Sequence, residues 1–281
     1  MTSKPQLMEE MMSDAKTIAF IGGGQMAIAL ASGFCKAGHI HPSQIRVAEP
    51  KDEARERFAS QLPGSLFATN HDAAADADIV FLAVKPQQTA KACSEIRGCL
   101  NSDTVLVSIV AGLSMQALST IVDTKKIIRV MPNTPCLIGR GVSAMCRSAA
   151  VSDECFQWTC DLMGAVGTVH PIDESLMDAV TGLSGSGPGY IAMVVEALAD
   201  GGIQAGLPKE IALALATETL SATASLLEQT GEHPAEIRKR VCSPGGTTLA
   251  GLATMEQDGV NRGIAAGVVA AANRARELGS T

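Results

Sequence analysis

The residue types best suited to chemistry lie together in residues 243–248. There a proline and two glycines stand with three hydroxyl side chains just before an apolar helical pattern. Glycine lets backbone approach a ligand closely, and the N–H groups at a helix start point outward without partners, so the segment can bind a small anion such as a carboxylate. The alternative is an ordinary helix start capped by a threonine. The predicted substrate-binding residues of this segment are Ser243, Gly245, Gly246, Thr247 and Thr248.

A second glycine-rich segment near the N-terminus follows an apolar stretch, residues 17–21, and precedes a helical pattern. Its spacing is the G-x-G-x-x-G/A fingerprint of dinucleotide binding in the strand-to-helix context that the fingerprint requires. The first glycine makes the tight turn, the second admits the pyrophosphate, and the alanine lets the helix lie close to the sheet. A glycine-rich turn without a ligand is the alternative. The predicted cofactor-binding residues here are Gly22, Gly23, Gly24, Gln25, Met26 and Ala27.

Glu49 stands at the end of the second predicted strand. An acid at this place usually hydrogen-bonds the adenosine ribose of NAD and repels the 2′-phosphate of NADP, although Glu49 follows the glycines by more than the usual ~20 residues. Lys51, two residues later, could still reach a phosphate. The alternative for Glu49 is a solvated strand end.

Three further loops leave strands at the carboxyl edge of the sheet, where ligands of doubly wound folds bind. Residues 83–86 follow one strand and residues 110–112 the next, while two prolines in residues 131–135 make a stiff loop that can hold Asn133 toward a ligand or simply connect two domains. Residues 184–190 are either a sharp bend or a place where a ligand contacts backbone. The first loop adds Ala83, Val84, Lys85 and Pro86 to the predicted cofactor-binding residues.

The elements that must position these residues change character along the chain. Apolar strands alternate with helices up to about residue 170, which predicts a parallel sheet covered on both faces, and only helical patterns follow. The fold class is therefore α/β, a Rossmann-type doubly wound sheet followed by an all-α domain. The predicted parts are a flexible extension over residues 1–15, a dinucleotide-binding domain over residues 16–172 and a substrate-binding and dimerisation domain over residues 173–281. The predicted strands are residues 17–21, 45–48, 79–83, 105–109 and 127–130; the predicted late helices are residues 174–183, 188–205, 208–229, 234–241, 248–257 and 260–278.

Two of the late helical patterns, residues 190–207 and 211–227, are apolar on nearly every face. A helix that is apolar all round is buried all round, and a lone peripheral bundle could hardly bury both. We therefore expect a subunit interface.

Composition narrows the possible partners. The net charge of -7 argues against nucleic acid or an anionic membrane surface as the main partner. The eight cysteines contain no Cys-x-x-Cys pair and the five histidines no metal or catalytic pattern, so we expect free buried thiols, solvated or capping histidines and no metal site. The first residues lack the features of a signal peptide, and charge, glycine or proline interrupts every apolar run, so we expect a cytoplasmic protein without a membrane span.

Taken in order, residues 22–27, 83–86, 131–135, 184–190 and 243–248 closely resemble pyrroline-5-carboxylate reductases. The resemblance spans residues 17–278; its last motif is specific to that family, whereas the first is shared by many dehydrogenases. Gly189 replaces the family's usual alanine. The resemblance implies reduction of 1-pyrroline-5-carboxylate to L-proline, the final step of proline biosynthesis, with NADPH or NADH. It also implies a homodimer through interlocked C-terminal helices, in many members five dimers to a ring.

The resemblance further implies roles for individual residues. It assigns the Thr248 hydroxyl, as the catalytic group, to a hydrogen bond with the ring nitrogen, and it assigns backbone at residues 246–248 together with Ser243 to the substrate carboxylate. Asn70, Lys85 and Ala111 match positions that contact cofactor. Glu49 stands where NADPH-preferring relatives have a small polar or basic residue, which leaves the choice between NADPH and NADH open.

Two other functions fit parts of the sequence. A related dehydrogenase or imine reductase acting on another small carboxylate would share the fingerprint, but a hydroxy-acid dehydrogenase normally presents a lysine from a second-domain helix, and Lys209 is expected to be solvated. A dinucleotide sensor without catalysis would have lost the segment at residues 243–248, which is intact here.

Overall fold

The computed structural model describes residues 16–279. The predicted extension, residues 1–15, lies outside the described residues. Within them the chain forms two compact units, residues 16–185 together with 271–279, and residues 186–270. The predicted domain boundary after residue 172 coincides with the end of the last strand, Gly167–Pro171, and stays a prediction.

The first unit is built on one sheet of eight strands. The strands are β1 Ile18–Ile21, β2 Ile45–Ala48, β3 Leu66–Phe67, β4 Ile79–Leu82, β5 Val105–Ser108, β6 Ile127–Met131, β7 Gly141–Arg147 and β8 Gly167–Pro171. Their order is β3-β2-β1-β4-β5-β6-β7-β8, and only β6 and β7 pair antiparallel. The predicted Rossmann-type sheet is confirmed, and all five predicted strands are present. The sequence analysis did not predict β3, β7 or β8.

The apolar strands are explained by helices on both faces of the sheet. Side chains alternate along a strand, so Ile18 and Phe20 of β1 enter one buried cluster, and Ala19 and Ile21 enter the other. The Phe20 ring stacks on that of Phe81 in β4, with 5.0 Å between centroids. The covering helices are α1 Gln25–Lys36, α2 Asp52–Gln61, α3 Asn70–Ala74, α4 Thr89–Ile96, α5 Met115–Val122 and α6 Asp153–Gly164.

The predicted helix over residues 174–183 is irregular. A 3-10 turn, Glu174–Leu176, leads into α7, Met177–Val180, and a π-helical turn, Thr181–Gly185, follows. The other late helices lie within one residue of their predicted bounds. They are α8 Gly187–Gln204, α9 Lys209–Thr230, α10 Pro234–Val241, α11 Thr247–Gln257 and α12 Val260–Gly279.

The helical unit exposes much apolar surface. Its buried cluster contains only Ala199, Ala212 and Ala216, against which Val195 packs. The exposed large apolar residues include Ile191, Met193, Ile211, Leu213, Leu215, Leu249, Ile264 and Val269. Such a surface is typical of a contact with another subunit rather than with water.

The expectation that every apolar run is too interrupted to span a membrane was wrong for one helix. By length and composition, the helix α9 is long and apolar enough to cross a membrane. Of its most apolar stretch, 11% is buried in this chain. The charged residues interrupt the run too rarely to lower its mean hydropathy. A single such helix is weak evidence for a membrane span, because helices of subunit interfaces have the same composition.

Candidate active site

The glycine-rich turn after β1 lies at the carboxyl edge of the sheet. Gly22 has φ +101° and donates its N–H to Ala48 O at 2.8 Å; a Cβ on Gly22 would lie 2.7 Å from Ala83 O. Only glycine combines this conformation with this close approach. By contrast, a Cβ on Gly24 would meet nothing within 4 Å, so the space beside it is open.

The helix α1 begins directly after this turn with free donors. Gly24 is its N-cap, no side chain caps it, and its first turn contains no acidic residue. The N–H groups of such a helix start carry partial positive charge and bind phosphate. The turn therefore fits the pyrophosphate of a dinucleotide. Gln25 is exposed and Met26 half-buried, and Ala27 is buried against the core, where the fingerprint places a small residue.

Glu49 bonds to the glycine-rich turn. Its Oε2 accepts the N–H of Gly23 at 3.0 Å, and its Oε1 accepts the N–H of Lys51 at 3.0 Å. The carboxylate is half-buried and held by two backbone donors, so it is more than a solvated strand end. Each carboxylate oxygen has a second acceptor position, which leaves capacity for a ribose hydroxyl.

The other predicted cofactor residues lie at the same edge. Ala83 and Val84 are half-buried and follow β4, where Ala83 N–H donates to Ile21 O at 2.8 Å. Lys85 and Pro86 are exposed and open a 3-10 turn. Asn70 starts α3 and donates from Nδ2 to Glu95 Oε2 at 2.5 Å.

Ala111 follows β5 and is half-buried. It packs against a cluster formed by Met131, Ala144, Cys146 and Met177. The predicted cofactor segments therefore all lie at one edge of the sheet, where Ala111 joins the glycine-rich turn, Glu49 and the loop after β4.

Asn133 is largely committed to holding the fold. It is 8% exposed, its Oδ1 accepts the N–H of Val142 at 2.9 Å, and its Nδ2 donates to Ser184 O at 3.1 Å. The side chain therefore links the loop after β6 to β7 and to the π-helical turn, with one amide N–H left over for a ligand. A role in substrate binding stays a prediction.

The segment at residues 243–248 lies in the helical unit, between α10 and α11. Gly245 has φ +71°, and Gly246 is the N-cap of α11, with no side-chain cap and no acidic residue in the first turn. The alternative of an ordinary cap by Thr247 is therefore wrong, because Thr247 is the first helical residue. Thr247 and Thr248 are both exposed, and Gly246 N–H donates to Ser243 O at 2.9 Å. Such N–H groups and hydroxyls at one helix start are suited to binding an anion, and the predicted substrate site here stays a prediction.

The sequence analysis missed an ion pair near the loop after β5. Arg129 Nη1 donates to Glu174 Oε1 at 2.8 Å, and the same oxygen accepts the N–H of Met115 at 2.6 Å. The available signal was a single charged residue inside the apolar strand β6. Its partner is 45 residues away along the chain and could not be chosen from the pattern.

Histidines and cysteines take no part in these sites. All five histidines are exposed, and two of them cap short helices: His41 accepts the N–H of Ser43, and His233 accepts the N–H of Ala235. All eight cysteines are free thiols, as expected, but only Cys93, Cys136 and Cys146 are buried, and the other five are half-buried. Within residues 16–279 no group of three or more His, Cys, Asp or Glu side chains could hold a metal ion.

Comparisons with known proteins agree with this arrangement. The sequence model of a family described as pyrroline-5-carboxylate reductase dimerisation matches residues 174–278, and one described as NADP oxidoreductase coenzyme F420-dependent matches residues 17–112. A pyrroline-5-carboxylate reductase of Synechocystis is 41% identical over 262 residues, which cover 93% of this chain and 98% of the relative. The chain belongs to the pyrroline-5-carboxylate reductase family.

Solved structures support the same assignment for the fold. A pyrroline-5-carboxylate reductase from Coxiella burnetii has a TM-score of 0.86 and 31% identity, covering 95% of this chain and all of the other. The Plasmodium falciparum pyrroline carboxylate reductase, solved with NADP bound, has a TM-score of 0.85 and 29% identity, covering 94% of this chain and 98% of the other. Both confirm a Rossmann-like sheet followed by a helical dimerisation domain.

The two family models match different predicted segments of this pyrroline-5-carboxylate reductase family member. The N-terminal match contains the glycine-rich turn, Glu49 and the loops after β4 and β5, and the dimerisation match contains residues 243–248. Lys209, the residue that a hydroxy-acid dehydrogenase would need to present, is exposed at the start of α9. That alternative has no support from the side chains.

Proposed function

We propose that this chain reduces 1-pyrroline-5-carboxylate to L-proline with NADPH or NADH, the final step of proline biosynthesis. The observation that carries the proposal is that helix α11 begins within residues 243–248 without a side-chain cap. The chain also belongs to the pyrroline-5-carboxylate reductase family. This helix start offers what the substrate needs, donors for a carboxylate beside hydroxyls for a ring nitrogen.

Binding of the substrate carboxylate is assigned to backbone at residues 246–248, with the Ser243 hydroxyl as a further donor. The absence of a side-chain cap and of acidic residues in the first turn of α11 supports this role, because the helix start remains positive and unshielded. Thr248 is assigned to a hydrogen bond with the ring nitrogen. Asn133 contributes its remaining amide N–H to the same substrate.

The reaction asks little acid–base chemistry of the protein. A nicotinamide cofactor held at the start of α1 would supply a hydride to the imine carbon of the iminium form and would leave as NAD(P)⁺. The C=N π pair would become the lone pair of the ring nitrogen, which would take a proton from water to give L-proline. Orientation by the protein contributes most of the rate effect, about 7–11 kcal/mol in favourable intramolecular precedents.

Both cofactors fit the sheet edge. The start of α1 is assigned to the pyrophosphate, and Glu49 to the adenosine ribose. The rest of the cofactor site is assigned to residues 83–86, Asn70 and Ala111. The relative from Plasmodium falciparum binds NADP, whereas the Glu49 carboxylate would repel a 2′-phosphate. We therefore propose that NADH is used by this chain more readily than by relatives without an acid at this position.

The assembly is proposed to be a homodimer formed by the helical units, with five dimers combined into a decamer. The exposed apolar side chains of α8 and α9 support the dimer, because a monomer rarely exposes such a surface. A cytoplasmic location is proposed on the basis of eight free thiols, which fit a reducing compartment.

The proposal is tested by steady-state kinetics of the purified chain with 1-pyrroline-5-carboxylate, following NADPH and NADH absorbance separately. We expect turnover with both cofactors. The same ring imine without its carboxylate should lose at least about tenfold in kcat/KM, because charge-assisted hydrogen bonds contribute roughly 1.5–3 kcal/mol each. Absence of turnover with either cofactor would overturn the proposed function.

A matched pair of variants locates the carboxylate site. Ser243→Ala should lower kcat/KM for 1-pyrroline-5-carboxylate but leave the carboxylate-free imine unaffected. Thr254→Ala, about two turns after the start of the following helix α11, should change neither. An equal effect of Ser243→Ala on both imines would place the carboxylate elsewhere.

A further inference from the structure

We propose that Arg129 and Glu174 form a positioning pair, which fixes the loop after β5 in the shape that hydride transfer requires. Neither residue is among the predicted substrate or cofactor contacts. The proposal rests on the proposed function, since it concerns the loop that contains Ala111, one of the predicted cofactor contacts.

Arg129 is a buried cation in an otherwise apolar strand. Its side chain is 7% exposed, and its neighbours in β6 are Ile128 and Val130. Removing a guanidinium from water is costly unless it is paired, and the side chain of Glu174 supplies the partner at 2.8 Å. The Glu174 side chain is 31% exposed, so only the cation is fully buried. An ion pair with a buried member is often no more stable than apolar residues, so its presence calls for a role in specificity or geometry.

Glu174 uses one oxygen for two tasks. The Oε1 that accepts from Arg129 also accepts the N–H of Met115, the first residue of α5. Ser114 caps the same helix by accepting the N–H of Ala117 at 3.1 Å. The ion pair therefore connects strand β6 with the point where the loop after β5 enters α5.

The rest of this loop is held by different contacts. At its near end, Ile109 N–H donates to Leu82 O at 3.2 Å, and Val110 N–H donates to the Ser108 hydroxyl at 3.3 Å. In its middle, Gly112 has φ +81°, and a Cβ there would lie 3.0 Å from the Cβ of Leu278. Only the far end depends on Glu174, so loss of this side chain should loosen the loop without unfolding the sheet.

Breaking the ion pair should therefore lower the rate of hydride transfer but not the affinity for the cofactor. The pyrophosphate and ribose contacts assigned to the start of α1 and to Glu49 do not involve the pair, so cofactor affinity should change little when the pair is broken. The hydride-transfer rate should fall, because a misplacement of about 1 Å can cost on the order of a hundredfold. A purely structural role would instead lower affinity, rate and thermal stability together.

The experiment compares Glu174→Ala, Glu174→Gln and Asp153→Ala with the wild-type protein. Glutamine retains an oxygen that can accept from Arg129 and Met115. Asp153 pairs with Arg147 in the same unit, but its side chain is 95% exposed, so Asp153→Ala is the control for loss of an ion pair. Each protein is characterised by kcat, by the cofactor dissociation constant from NADPH fluorescence titration, and by its unfolding temperature.

We expect Glu174→Ala to lower kcat by about ten- to a hundredfold with a nearly unchanged cofactor dissociation constant. Glu174→Gln should recover most of the activity, and Asp153→Ala should match the wild type. If Glu174→Ala fails to fold, Glu174→Asp decides, because its shorter carboxylate keeps the charge but cannot reach both donors and should give the same split.

Two results would overturn the positioning role. One is an unchanged kcat in Glu174→Ala or, where that variant fails to fold, in Glu174→Asp; the other is a parallel loss of kcat and cofactor affinity. If the wild-type chain does not reduce 1-pyrroline-5-carboxylate, the proposed function itself is refuted, and the positioning role with it. The failure of the pair and the failure of the function are therefore distinct outcomes.

Discussion

Replacing Glu49 by serine is expected to shift cofactor preference toward NADPH. The wild-type carboxylate is held beside the glycine-rich turn by the N–H groups of Gly23 and Lys51, each at 3.0 Å. A carboxylate fixed there interacts unfavourably with a 2′-phosphate but favourably with a free ribose hydroxyl. Serine removes the repulsion and keeps a small polar group.

The size of the shift follows from the charge and its exposure. Two unit charges about 4 Å apart interact by about 1 kcal/mol in bulk water and about 4 kcal/mol near a protein surface. Because Glu49 is half-buried, we expect an effect near the low end, about 1–2 kcal/mol, which is roughly a 5- to 30-fold change in the ratio. The assay is the ratio of kcat/KM with NADPH to kcat/KM with NADH.

Two further variants isolate the charge. Glu49→Gln keeps an acceptor for Gly23 N–H and should shift the ratio in the same direction, with less loss of stability than Glu49→Ser. The serine variant leaves this buried N–H without its partner, at a cost of about 1–3 kcal/mol. Glu56→Ser, which removes an exposed charge from the following helix α2, should leave the ratio unchanged. A ratio that is also unchanged in Glu49→Ser would show that this carboxylate does not face the ribose.

Three other predictions concern the substrate site, the assembly and the thiols. Thr248→Ala should lower kcat/KM by about one to two decades, because a hydrogen bond to a charged partner contributes roughly 1.5–3 kcal/mol, and Thr247→Ala should lower it less. Steady-state kinetics measure both effects, with circular dichroism as the control for folding. An unchanged kcat/KM in Thr248→Ala would contradict the assignment. Light scattering at sub-micromolar concentration should give at least the mass of a dimer, because obligate interfaces commonly bury about 2,000–5,000 Å², and an active monomer would refute this. Burial raises the pKa of the Cys93 and Cys146 thiols to about 11, so both are neutral thiols in the folded protein and become reactive only as the pH approaches that value. Peptide mapping after treatment with iodoacetamide at a pH near 8 should find both cysteines unlabelled. Early labelling of either would show that it is accessible.

Much of the sheet was predictable because its central strands are buried throughout and almost entirely apolar. Each residue of β1, β4 and β5 is buried, so no alternation obscures the pattern. The strand β8 is exposed at Thr168, His170 and Pro171, and β3 has only two residues, so neither contains enough apolar sequence to be distinguished from a loop.

The positions of the site segments were predictable for a different reason. Gly22 and Gly245 have positive φ, a local backbone conformation that favours glycine and that the sequence determines within a few residues. The side-chain partners were not predictable, because they are distant along the chain. Asn133 bonds to Ser184, 51 residues later, and Arg129 to Glu174, 45 residues later. Only the folded sheet brings such pairs together.

The central claim is that this chain transfers a hydride from a nicotinamide cofactor to the imine carbon of 1-pyrroline-5-carboxylate. The most direct measurement uses NADPH or NADH deuterated at the transferred position of nicotinamide C4, followed by mass spectrometry and NMR of the product. We predict L-proline carrying one deuterium at C5. Formation of no proline, or of proline without deuterium at C5, would contradict the claim.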